Sequence, residues 1–253
     1  MPDRETATIR ATDITAALAL LTRLPLPGAD HARGAHAAWA YPLAGLAVGA
    51  IAAMSGILAT ALGLPPGIAA GLILTASILT TGAMHEDGLA DSADGLWGGW
   101  DPARRLEIMK DSQIGTYGVL ALILSLGLRW VALATLIGTG QFVGAILAAA
   151  ILSRAPMTAL MHFVPRARTD GLSHSVGQPS LYSAEIAAAL ALLLGLLCIG
   201  LTIISVAIGI CIATLVIAKV AKAKIGGQTG DILGATQQVT EITALAILAT
   251  SLT

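Results

Sequence analysis

The sequence predicts an all-α fold: a polytopic bundle of about seven membrane-spanning helices, joined by short cytoplasmic or interfacial helices. Three observations predict it. Of 253 residues, 56% are hydrophobic and only 11% charged, and a mean hydropathy of +0.82 leaves too little polar sequence to cover the apolar runs in water. Those runs fall at 39–62, 67–84, 115–137, 141–162, 184–200, 202–220 and 232–252, each near the roughly 20 residues that cross about 30 Å of hydrocarbon. Finally, lysine and arginine gather in alternate connections. Arg4, Arg10, Arg23, Arg33, Arg104, Arg105, Lys110, Arg166, Arg168, Lys222 and Lys224 all fall within 1–38, 85–114, 163–183 and 221–231, whereas 63–66, 138–140 and residue 200 carry no charge. The positive-inside rule therefore puts the N-terminus and the polar segments in the cytoplasm, on a cell (inner) membrane.

Taken in order, residues 1–38 form a cytoplasmic N-terminal segment. Its apolar stretch Ile14–Leu21 is too short to cross, and it runs into Thr22-Arg23-Leu24-Pro25 with no small-residue cleavage site, so it reads as a retained interfacial helix. Two spans precede the polar segment 85–114. There Trp97-Gly98-Gly99-Trp100 makes a turn, and Asp101-Pro102 supplies an N-cap and a first-turn proline for a short helix at about 102–112. Ser112 to Gly118 leads into the third span. The fourth carries Arg154 about halfway along. No charge separates Glu185 from Lys219, so this stretch folds as two spans with a tight turn near Gly200. Gly226-Gly227-Gln228-Thr229-Gly230-Asp231 starts the last span. No linker or internal repeat divides residues 1–253, which read as one membrane-embedded domain. Cys198 and Cys211 lie in apolar spans and read as core packing. A net charge of −1 with no basic run gives no sign of nucleic-acid binding.

The segment His85 to Gly95 concentrates four acids in eleven residues. Asp87, Asp91 and Asp94 stand at i, i+4 and i+7, so on a helix their carboxylates share one stripe. Aligned carboxylates repel unless a cation lies between them, and hard oxygen ligands able to share a site with phosphate point to Mg²⁺, or Mn²⁺, rather than zinc. Gly88 and Gly95 share another stripe, where a missing side chain lets a second helix or a bulky ligand approach. Glu86 points about a quarter turn away. His85 reads either as a proton acceptor or phosphate partner, or as a boundary histidine satisfied by carbonyls.

Other candidates are spread along the chain. Asp111 either completes the metal set or pairs with Arg104 through a bound anion. Lys110 and Arg104, on the same short helix, are candidate phosphate contacts. Asp231 ends a glycine-rich turn at a helix start, where Gln228 and Thr229 are placed to receive phosphate or a metal-bound phosphate. Arg154, facing inward, suits a pyrophosphate. Arg129 reads as snorkelling to the outer surface, and Arg166 and Arg168 as surface markers or phosphate anchors. Together these residues describe a membrane enzyme that acts on a nucleotide or diphosphate through a bridging metal.

Thr22 to Pro25, Tyr41-Pro42-Leu43-Ala44-Gly45, His85 to Gly95, Leu106 to Gly118, Ser153-Arg154 and Gly226 to Gly234 resemble, in order and spacing, the cobalamin synthase family, the adenosylcobinamide-GDP ribazoletransferases. The resemblance implies a Mg²⁺-dependent membrane enzyme. In it, α-ribazole or its 5′-phosphate attacks adenosylcobinamide-GDP, releasing GMP and forming adenosylcobalamin or its phosphate. It also implies that Asp87, Asp91 and Asp94 match the family's acidic motif, Asp111 its Lys-Asp-Ser motif and Asp231 its Gln-Thr-Gly-Asp motif. Asp91 to Gly95 also opens like the CDP-alcohol phosphotransferase signature, which then fails at Gly98-Gly99. A lipid phosphotransferase and a corrinoid transporter are the alternative readings. Membrane lipid is an expected partner, and helix-edge glycines are compatible with a homo-oligomer.

Overall fold

The computed structural model describes residues 9–26 and 31–252; the expected charge at Arg4 lies outside them. Among the described residues the chain is helical, with an isolated backbone bridge between Arg166 and Gln228. The helices are α1 (Thr12–Leu21), α2 (Tyr41–Ala61), α3 (Pro66–Thr81), α4 (Met84–Gly98), α5 (Pro102–Ile108) and α6 (Thr116–Gly138). They continue with α7 (Phe142–Leu152), α8 (Ala155–Phe163), α9 (Leu172–Val176), α10 (Leu181–Ile199), α11 (Ile203–Ile225) and α12 (Gly230–Ser251).

Among the described residues five stretches can cross a membrane by length and composition, or six if the bent pair α3–α4 is one span. One of the five, Leu181–Ile225, has 45 residues, about 68 Å if straight and twice what a bilayer needs. It breaks at Gly200, whose φ is +57°. Both its ends return to the end of α8: Pro179 O meets His162 Nδ1 at 2.9 Å, and Gln228, just past α11, bridges to Arg166. So α10 and α11 form a hairpin inside that stretch, and the count of helices able to cross compares with the seven spans expected from the sequence. The fourth is not one helix. Pro156 has no N–H and crowds the Leu152 carbonyl, which divides the span into α7 and α8 at Ser153-Arg154.

The helix α7 is buried on nearly every side, with Ala145, Ala148 and Ile151 fully enclosed. By contrast α10 and α11 are peripheral and present Leu193, Leu197, Ile208 and Leu215 outward. Cys211 is exposed on this outer surface and so does not pack in the core, whereas Cys198 is half-buried and packs against the core's edge.

Two local devices shape the surroundings of the acidic helix. The chain turns by 89° between α3 and α4, at Gly82 (φ +66°) and Ala83 (φ +59°); left-handed backbone at alanine costs about 1 kcal/mol. Arg23 lies over Gly82 and its N–H donates to Thr80 O at 2.7 Å, so the Thr22 to Pro25 segment braces the bend. In consequence α4 runs back between α6 and α12 toward one end of the bundle, with Ala90 against Gly118 and Glu86 reaching Arg129. The second device concerns α1, which is tied to the chain that follows it. Asp13, fully buried, accepts from Arg33 Nε at 2.6 Å and Trp39 Nε1 at 2.9 Å. These bonds lock α1 to residues 31–40, and Ala17 and Leu21 pack with Tyr41 and Met161.

Candidate active site

The helices α4 and α12 cross at their glycines. A Cβ on Gly88 would stand 2.9 Å from Asp231 O, and one on Gly234 would stand 3.3 Å from His85 Cα. That approach brings Asp87 and Asp91 of α4 to Asp231 at the start of α12. Farther along the same glycine stripe Gly95 lets α5 approach, with the Arg105 carbonyl 2.8 Å from a Cβ there. Arg105 then holds Gly99 O at 3.0 Å and Lys224 O at 2.8 Å, fixing the C-terminal ends of α4 and α11 together.

Asp91 is the centre of the cluster. Burial, followed by repulsion from Asp87, Asp231 and Asp94, pushes its carboxyl up to about 7, with Arg168 opposing. Arg168 Nη2 donates to Asp231 Oδ2 at 2.8 Å, while its buried Nη1 has no partner. From the sequence Arg168 reads no more strongly as a phosphate anchor than as a surface marker. What places it in the site is Gln228, whose N–H donates to Pro165 O at 2.8 Å and whose carbonyl accepts from Ala167 N at 2.9 Å. The glycine-rich turn thus folds the 165–168 loop back over α12.

Several expected roles change. Asp94 does not join the other two aspartates of its stripe, because its oxygens accept from Gly115 N at 2.7 Å and Gly118 N at 2.9 Å, capping α6. Asp94→Ala is expected to cost about 1–2 kcal/mol of stability, as loss of a cap does, read as a lower denaturation midpoint in detergent. Asp111 is exposed in the α5–α6 connection, where it accepts from Gln113 N at 3.1 Å, and does not reach the cluster. Arg104 pairs with Glu107 on the outer face of α5 at 2.7 Å. Lys110 pairs with Asp170 at 2.5 Å. Gln228 and Thr229 are each 1% exposed. Gln228 Oε1 accepts from Ser173 Oγ at 2.7 Å, and Thr229 Oγ1 caps α12 by accepting from Ile232 N at 3.3 Å. These oxygens build the turn, while Thr229 Oγ1 also donates to Asp231 Oδ2 at 3.2 Å and the buried Gln228 Nε2 has no partner. Among the described residues no three His, Cys, Asp or Glu side chains form a ready metal cage.

The intramembrane arginines also differ from expectation. Arg129 does not snorkel; it is 1% exposed and donates to Glu86 Oε1 at 3.1 Å and Glu241 Oε1 at 3.4 Å. Arg154 bonds the Ala150 carbonyl freed by the helix break at 2.6 Å and lies 3.8 Å from Glu241. The cavity they share, about 20 Å³, holds about one water, so a pyrophosphate has no room beside Arg154. His85 is buried at 1% with Nε2 unpartnered. It lines this cavity and a larger one, about 190 Å³, whose polar end is Asp87, Arg168 and Asp231.

Fold and site together define a polytopic membrane protein with converging carboxylates and an opposed guanidinium at one end of its bundle. Comparison with known proteins narrows the class. The family model described as cobalamin-5-phosphate synthase matches residues 13–249. A Bradyrhizobium diazoefficiens protein named adenosylcobinamide-GDP ribazoletransferase is 47% identical, covering 98% of this chain and 97% of its own. A Mesorhizobium japonicum protein of the same name is 44% identical over 95% and 93%. No solved structure matches. The chain belongs to the cobalamin-5-phosphate synthase family and is a membrane-embedded transferase of cobalamin biosynthesis.

Proposed function

We propose that this chain joins α-ribazole, or its 5′-phosphate, to adenosylcobinamide-GDP and releases GMP, at the cytoplasmic face of the inner membrane. The observation that carries the reading is the meeting of Asp87, Asp91 and Asp231 with Arg168 where α4 crosses α12. The acceptor's ribose hydroxyl bonds to the corrinoid-side phosphorus, the bond from that phosphorus to the oxygen of GMP breaks, and the hydroxyl proton passes to solvent. Charge balances across this exchange.

The carboxylates fit a divalent cation, Mg²⁺ or Mn²⁺, because burial and then the neighbouring acids push Asp91 up and one guanidinium does not offset them. An incomplete cage also suits Mg²⁺, which takes one or two carboxylates and completes its shell with water and substrate phosphate. Asp87, Asp91 and Asp231 would hold it, and when bound it supplies charge neutralisation along the diphosphate. Arg168, with a free N–H beside Asp231, pairs with a phosphate oxygen. Gly88 and Gly234 hold the two acid-bearing helices at fixed separation.

The test is GMP release by purified protein in detergent or liposomes, given adenosylcobinamide-GDP, with acceptor and Mg²⁺ each omitted in turn. Release that needs all three components supports the reading; none from folded protein overturns it. The cation requirement should also follow pH. Below about 7 Asp91 keeps a proton that the cation must displace. Half-saturating Mg²⁺ should therefore rise by up to about tenfold per unit as pH falls from 7. A requirement independent of pH would remove Asp91 from the ligand set.

A further inference from the structure

The cavity of about 190 Å³ beside the carboxylates has a strongly divided lining. Asp87, Arg168 and Asp231 form one end, His85 and Ser173 add two further polar side chains, and apolar residues led by Met84, Met157 and Met161, with Tyr41, form most of the rest. Resting on the transferase reading above, we propose that this cavity seats the bicyclic aromatic base of the acceptor, with its ribose directed to the Asp87–Asp231 end.

Three features select that occupant. The first is position. The attacking hydroxyl must lie against the phosphorus, and the cavity shares three residues with the phosphate site. A base held among the methionines therefore delivers its own sugar to the reacting atoms. The second is polarity. A dimethylbenzimidazole is apolar except for one ring nitrogen, whereas guanine carries a carbonyl, an amino group and a ring N–H. Each of those left unpaired here would cost about 1–3 kcal/mol. Methionine, flexible and polarisable, packs favourably on aromatic rings. The third is size, since a corrin macrocycle cannot enter a space suited to two fused rings.

The N-terminal segment gains a role from this assignment. A neighbouring cavity of about 280 Å³ shares Leu20, Tyr41, Leu172 and Val176 with the first and is walled by Ala16 and Ala17. The helix α1 thus forms a side of the chamber, and the Asp13 bonds to Arg33 and Trp39 hold that side in place.

Two variants of the full-length protein in detergent test the proposal, with equilibrium binding of α-ribazole read beside steady-state rates. Met157→Trp, which fills the cavity, should weaken α-ribazole binding and raise the acceptor KM by about tenfold or more. The adenosylcobinamide-GDP KM should stay within about twofold. Met161→Ala, which enlarges it, should shift relative affinity toward a riboside of a bulkier tricyclic base by about fivefold or more, a gain that misfolding does not produce. Unchanged acceptor affinity and preference in both variants would overturn the proposal. So would a change confined to the donor KM, which would put guanosine in the cavity, or no α-ribazole binding by the unsubstituted protein. Failure of the parent reading has a different signature: α-ribazole binds and responds to both variants, yet no GMP is released.

Discussion

Asp91→Asn should raise thermal stability in metal-free detergent and at the same time lower the transfer rate by about 10²–10⁴-fold. The two effects have one cause. Asp91 is half-buried among Asp87, Asp231 and Asp94, and its carboxyl is pushed up to about 7 by burial and by those charges. A carboxyl raised in the folded state binds its proton more tightly there than in the unfolded chain. Its stabilising contribution is complete below the ordinary value of 3.8 and is lost as pH rises to about 7. The asparagine variant has no such loss, so the stability gap over the parent should open above pH 4 and level off above 7. Added Mg²⁺ should stabilise the parent and close the gap. The rate loss follows because a cation ligand worth several kcal/mol to the transition state is removed. Denaturation midpoints across pH, with and without Mg²⁺, and initial rates of GMP release measure both. A variant that lost stability and activity together would make Asp91 a packing residue instead.

Much of this arrangement is visible in the residues themselves. Hydropathy and the spacing of charge-bearing connections locate the crossings, because a bilayer admits little besides apolar helices of one length. The glycine stripe of α4 correctly announces close neighbours, α12 at Gly88 and α5 at Gly95. The acidic stripe is legible only in part. Spacing says that Asp87, Asp91 and Asp94 share a face, but not which partner lies along it. Asp94 finds the bare N–H groups of α6, and the other two find Asp231. Arg168 is unreadable for a related reason. It lies 63 residues from Asp231, in a polar loop whose path is set by two backbone bonds to Gln228. The Gly-Gly-Gln-Thr-Gly-Asp turn advertises a phosphate site, yet Gln228 Oε1 and Thr229 Oγ1 go into building the turn and only Asp231 joins the carboxylates. The guanidinium that it positions comes from elsewhere in the chain.

The largest stability effect should come from Arg129→Met, at about 3–5 kcal/mol, or on the order of 10 °C in the denaturation midpoint. A hydropathy profile puts Arg129 near an uncharged membrane face and gives no means of telling an inward arginine from a snorkelling one; in the latter case methionine would be neutral. In the fold Arg129 lies between Glu86 of α4 and Glu241 of α12, at 3.1 and 3.4 Å. Arg154 lies 3.8 Å from Glu241. Two carboxylates and two guanidiniums balance in a space too small for more than about one water. Removing Arg129 leaves Glu86 buried without a cation, whereas Arg154 still serves Glu241. The double variant Arg129→Met with Glu86→Gln should therefore recover a large part of the loss, because it removes one charge of each sign and leaves the Arg154–Glu241 pair. Thermal denaturation of the two single variants and the double variant in detergent separates the cases. An additive double variant would mean that the charges do not act as one network. Since Glu86 adjoins Asp87 and Glu241 follows Asp231 on the same helix, this buried balance also sets how α4 and α12 lie against each other. The carboxylates of the site inherit their spacing from it.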